Sequence, residues 1–144
     1  MISSMYHTGF VVRDHDRAVA FYRDIIGMNV DVSRERQGPA ISQVIGYDNA
    51  HLKISLLSVG GTGHVLELIQ YVYPPSMERP NDERNVFGGS HIAFYVNDIK
   101  ATYEDLGRRG ARGLNPPTEV APGRSACYLQ DPDGNWVELV EDLN

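Results

Sequence analysis

The spacing of apolar and polar positions divides the chain into short strands and amphipathic helices. Thr8, Phe10 and Val12 recur at every second position, the period of a strand with one buried face, and leave His7, Gly9 and Val11 on the other side. From there the period lengthens: Ala18, Phe21, Tyr22, Ile25 and Ile26 follow the spacing of a helix with one apolar stripe. Asp14 or Asp16 is placed to cap that helix and Gly27 to end it. Extended segments are predicted over Asn29–Glu35, His51–Ser58 and Val65–Tyr71, with a helical turn at Ile41–Ile45.

The same order of elements then returns. His-x-x-Phe-x-Val-x-Asp stands at His7, Phe10, Val12 and Asp14 and again at His91, Phe94, Val96 and Asp98, a constant offset of 84 residues. Ile99, Tyr103 and Leu106 mark a second helix, with Asn97 or Asp98 as its cap and Gly110 as its stop. Strands are predicted at Gly123–Gln130 and Trp136–Val140, with a shorter one near Arg112–Leu114. Leu66-Glu67-Leu68-Ile69 and Val137-Glu138-Leu139-Val140 form a second matched pair, each an apolar strand holding one carboxylate. Residues 74–89, rich in Pro, Asn and Gly, read as a linker between a first module, 1–73, and a second, 90–144. Each module reads strand, helix, then two or three strands. Such modules bury their sheets best as one curved mixed sheet with helices outside, an α+β fold in a single domain.

Composition narrows the function. At 144 residues the chain has core enough to fold without disulfides or a structural metal, so any metal is expected to be functional. Its 19 acidic against 13 basic residues, a net charge of −6, argue against nucleic acid, which calls for a clustered basic face. The tight cluster Arg108, Arg109 and Arg112 sits at the end of a predicted helix and complements its dipole. The longest apolar runs, Ala18–Tyr22 and Ile92–Val96, fall far short of the ~20 residues of a membrane span. No secretory pattern is readable in MISSMYHTGFVVRD, and a single cysteine, Cys127, forms no internal disulfide, so a cytoplasmic location is expected. Cys127 reads as a small core residue, with no adjacent histidine or cationic cluster to activate it.

The candidate chemistry lies on the strand faces turned away from the helices. His7 and His91 share those faces with a very small neighbour, Gly9 or Ala93, which leaves volume beside the imidazole. Glu67 shares a face with Val65, Ile69 and Tyr71, and Glu138 with Trp136 and Val140. A carboxylate on an apolar face needs a partner. Taken singly, a strand histidine is more often a hydrogen-bonded structural residue and an inward glutamate more often ion-paired. Four of them at equivalent positions of a repeat turn the balance towards convergence on a divalent metal. His15, His51 and His64 lie at element ends and are expected at the surface. Tyr71, Tyr95, Tyr128 and Trp136 are candidate walls of a substrate cleft.

On these residues the chain resembles the vicinal oxygen chelate superfamily, which includes glyoxalase I, methylmalonyl-CoA epimerase, extradiol dioxygenases and the fosfomycin and bleomycin resistance proteins. The segments that carry the resemblance are HTGFVVRDHDRAVAFYRDIIGM, GHVLELIQY, GSHIAFYVNDI and YLQDPDGNWVELVE. It implies two paired βαβββ modules around a metal-centred cleft, with ligands at His7, Glu67, His91 and Glu138. Such a site takes Zn, Ni, Co, Mn or Fe. Similarity to glyoxalase I implies that Glu138 or Glu67 shuttles a proton next to a carbonyl. The expected activity is a lyase or isomerase of the glyoxalase or epimerase type, acting on a small carbonyl or thioester substrate, and family habit implies a homodimer. Glyoxalases carry an Arg four residues beyond the first ligand where Val11 stands here, and epimerases a Gln where Glu67 stands. The alternatives are a ring-cleaving dioxygenase and a non-enzymatic drug-binding protein. The dioxygenases share the run Tyr128-x-x-Asp131-Pro132-x-Gly134-x-x-x-Glu138, but Glu119, Val120 and Ala121 stand where they need a histidine. Drug-binding members normally lack the four ligands. The sequence leaves open whether the four meet within one chain or between two.

Overall fold

The computed structural model describes residues 2–61, 63–79 and 83–144; linker residues 80–82 lie outside the described residues. The chain divides into two compact units, Met1–Arg79 and Pro80–Asn144. The fold is α+β, and each unit carries one mixed sheet, of four strands in the first and five in the second.

In the first unit, β1 (His7–Val11) leads into α1 (His15–Ala20), which continues as a π-helical turn, Phe21–Ile26. Asp14 is the cap: its carboxylate accepts the Arg17 backbone N–H at 2.9 Å. Ala18, Phe21 and Tyr22 are buried, and Gly27, at φ 95°, ends the helix. The antiparallel strands β2 (Asn29–Gln37) and β3 (His51–Ser58) are joined through α2 (Pro39–Ile45), and β4 (Val65–Tyr73) pairs antiparallel with β3 and parallel with β1. The sheet order is β1-β4-β3-β2. Phe10 and Val12 are buried with Leu52, Leu57, Leu66 and Leu68, so the face predicted apolar packs into the core.

His15 departs from expectation. It is buried, with 6% of its surface exposed, because the Asp14 cap turns the first residue of α1 towards the sheet. Its ring lies 2.8 Å from Ser55 Oγ and 3.1 Å from Asp16 Oδ1, and Ser55 donates onward to Ser33. These contacts compensate the ring for lost water. His51 pairs with Glu35, and His64 contacts Thr8.

The second unit repeats the plan. β5 (His91–Tyr95) is followed by α3 (Ile99–Arg108), capped by Asp98, whose carboxylate accepts the Ala101 N–H at 2.9 Å. β8 (Arg124–Gln130) and β9 (Trp136–Asp142) are antiparallel, and β9 runs parallel to β5. β6 (Arg112–Gly113) and β7 (Thr118–Ala121) pair with opposite ends of β8. Because β9 covers one edge of β8, both must share the other. They therefore form one strand lane, interrupted where Pro116 and Pro117 lack ladder donors. β7 escapes the sequence reading because all its residues are exposed and no alternation marks it. The Tyr103 ring packs where a side chain at position 113 would project, which requires Gly113. Among the described residues no helix is long and apolar enough to cross a membrane.

Candidate functional site

Parallel pairing sets the geometry in each unit. In the first, His7 lies opposite Val65 and Gly9 opposite Glu67; in the second, His91 lies opposite Trp136 and Ala93 opposite Glu138. The registers are the same. In both, the glutamate stands beside the small residue two positions beyond the histidine, so the side chains lean together over it. His7 Nε2 and Glu67 Oε2 are 3.2 Å apart, and so are His91 Nε2 and Glu138 Oε2. The histidine side chains are 35% and 47% exposed and the glutamates 14% and 19%. Each pair thus has a shielded carboxylate and an imidazole open to solvent.

The surroundings differ. In the first unit Tyr6 packs edge-on against His7, and Val65, Ile69 and Tyr71 flank Glu67 on a half-buried face. Tyr71 meets the Tyr47 ring at 6.1 Å. In the second unit Tyr128 lies directly across the ladder from Glu138 and donates its hydroxyl to that carboxylate. Burial, followed by the charge and hydrogen bond of Glu138, pushes the Tyr128 phenol above its usual range. A chain of edge-to-face rings runs from His91 to Tyr128, at 5.3 Å, and on to Trp136, at 6.3 Å. Tyr95 shares the face of His91 but is 77% exposed.

The structure therefore brings His7 to Glu67, and His91 to Glu138, Tyr128 and Trp136. Among the described residues no group of three or more His, Cys, Asp or Glu side chains gathers as a metal cluster. Sequence reasoning missed Arg84, whose guanidinium carbon lies 4.6 Å from the Trp136 ring centre and 6.0 Å from that of Tyr128. The signal was an arginine seven residues before His91, in a stretch read only as linker.

Two motifs lose their catalytic appeal. Cys127 is buried, and desolvation, helped by the Glu138 charge, pushes its thiol up to about 11, so it is a protonated core residue. In the turn between β8 and β9, Asp131 accepts from the backbone N–H groups of Asp133 and Asn135 and from the Asn135 amide, while Gly134 takes φ 81°. The Asp and Gly of the dioxygenase-like run are thus accounted for by turn geometry. They do not discriminate between chemistries.

The duplicated fold and paired donors fit a known class. A model of the Glyoxalase/Bleomycin resistance protein/Dioxygenase superfamily matches residues 4–139, and the chain belongs to that superfamily. It is 28% identical over 145 residues to a 2-epi-5-epi-valiolone epimerase from Actinomyces, covering 95% of this chain and 78% of the relative. It is also 28% identical over 141 residues to a probable lactoylglutathione lyase from Synechocystis, covering 95% and 94%. A glyoxalase family protein from Bacillus cereus shares the fold with a TM-score of 0.91 at 22% identity, over 100% of this chain and 97% of that one.

Proposed function

We propose that the protein is a divalent-metal-dependent lyase or isomerase that moves a proton at the carbon next to a carbonyl, in the manner of glyoxalase I or an epimerase. His7, Glu67, His91 and Glu138 are the proposed metal donors. The observation that supports this reading is the duplicated His–Glu pair, with the same ladder register and the same 3.2 Å separation in both units. Nitrogen and oxygen donors each bonded at ~2.0–2.2 Å to one ion stand roughly 3 Å apart when adjacent, so each pair has the spacing of neighbouring ligands. Two imidazoles and two carboxylates suit Zn, Ni, Co, Mn or Fe. The relatives named as an epimerase and a lactoylglutathione lyase support proton-transfer chemistry.

A bound ion would polarise a substrate carbonyl and stabilise the negative charge that develops on its oxygen. The protein's own work is proton transfer and positioning. Glu138, or Glu67, takes the proton from the adjacent carbon and returns it to the product. Tyr128 orients the Glu138 carboxylate through its hydrogen bond. Tyr71, Tyr95, Tyr128 and Trp136 are the proposed substrate walls, and Val65 and Ile69 limit water around Glu67. Val11, in place of the glyoxalase arginine, directs the search beyond glutathione adducts.

Two measurements on the full-length protein test this. Elemental analysis after loading with each candidate ion should find stoichiometric metal that is lost in His7→Ala and His91→Ala. Solvent deuterium exchange over a panel of acyl-CoA thioesters and glutathione hemithioacetals should find a substrate whose exchange collapses in Glu138→Gln or Glu67→Gln. Failure to bind any of these ions, or full activity in both glutamine variants, would overturn the reading.

A further inference from the structure

We infer that the Arg84 guanidinium forms an anion subsite beside the His91–Glu138 pair, taking a carboxylate or phosphate group of the substrate. As a statement about substrate this rests on the function proposed above. As a statement about anion binding it stands on the second unit alone.

Placement is the first ground. Arg84 covers the Trp136 ring at 4.6 Å, inside cation–π range, while Tyr128, at 6.0 Å, lies at its limit. Trp136 is the end of the ring chain that begins at His91, so the cation sits two rings from the proposed metal pair. A cation–π contact uses none of the guanidinium N–H donors, which stay available to grip a carboxylate or phosphate with two hydrogen bonds.

The second ground is how the other arginines are used. In this acidic chain Arg13 pairs with Glu78, Arg23 with Asp24, and Arg108 and Arg109 with Asp105. Arg84 is exposed and, like Arg17, Arg34, Arg36, Arg112 and Arg124, has no carboxylate partner among the described residues; of these six it is the one that lies over aromatic rings. Its place is also held by the backbone. The Gly89 N–H bonds the Val86 carbonyl at 2.9 Å, and a Cβ at position 89 would come within 2.7 Å of the Arg84 carbonyl oxygen and 2.9 Å of that of Val86. Only glycine permits this turn, which delivers Arg84 to the ring.

An anionic carbonyl compound follows as the substrate class, its carbonyl at the His–Glu donors and its anion at Arg84. Because Trp136 is the chain's single tryptophan, its fluorescence reports on the guanidinium above it. The full-length, metal-free protein is titrated at constant ionic strength with inorganic phosphate and, separately, with acetate. The expected result is a saturable fluorescence change in the wild type, with affinity weakened at least tenfold in Arg84→Gln and less in Arg84→Lys. Gly89→Ala should also weaken it with Arg84 intact. Tighter phosphate than acetate assigns a phosphoryl group, and the reverse assigns a carboxylate. No saturable change in the wild type, or equal affinity in Arg84→Gln, overturns the inference. Elemental analysis of separate portions of the same proteins, loaded with each candidate ion, separates the two proposals: metal binding with Arg84-independent phosphate affinity removes only this one, and Arg84-dependent phosphate binding without metal binding removes only the proposed function.

Discussion

Gly9 and Glu67 face each other across the parallel ladder of β1 and β4, and the carboxylate of one turns into the space left by the missing side chain of the other. A Cβ on residue 9 would stand 3.5 Å from Glu67 Oε2 and 3.8 Å from Ile69 Cδ1, ordinary contact distances. For the proposed metal site, Gly9→Ala should therefore bind the candidate ions as the wild type does. Gly9→Leu, whose branched end needs the volume the carboxylate occupies, should lower metal content without unfolding the protein. Elemental analysis alongside circular dichroism checks both.

The two aspartates of the repeated motif are helix caps, each accepting a backbone N–H at 2.9 Å. Asp14→Ala and Asp98→Ala should each destabilise the protein by about 1 kcal/mol. Urea denaturation should show similar losses for both, and Asp16→Ala, which removes a residue that is not the cap, should not show a cap-sized loss.

His15 and Ser55 form a buried contact under α1. Replacing His15 by Ala should cost about 1–3 kcal/mol, because Ser55 loses a partner where water does not reach. In a Ser55→Ala background the same replacement should cost less. A double-mutant cycle by denaturant unfolding measures that coupling.

Cys127 makes stability depend on alkaline pH. Its folded-state value, about 11, lies above the ordinary 9.0, so the neutral thiol's contribution is fully present below about 9. Above that the unfolded chain loses its proton first, and stability falls until the folded thiol ionises near 11. The loss is on the order of 2 kcal/mol. Denaturant midpoints across this range should fall less steeply in Cys127→Ala. The native thiol should resist alkylation at neutral pH and react once unfolded.

Much of this fold is legible because its signals are local. The alternation around Phe10 and the helical stripe from Ala18 depend only on backbone periodicity, which also assigns His7, Glu67, His91 and Glu138 to the faces they occupy. β7 was illegible because an exposed edge strand held through β8 leaves no alternating trace. His15 was misread because helix-end position says nothing of which neighbour the ring meets.

By itself, then, the sequence determined the repeat, the α+β class and the matched faces of the two histidines and two glutamates, all of which follow from chain periods of two and 3.6 residues. Only the tertiary structure decided that each histidine meets its glutamate at 3.2 Å, and that Arg84 lies over Trp136. Those contacts depend on ladder register and on a glycine turn, which place residues distant in sequence side by side and leave no periodic mark along the chain.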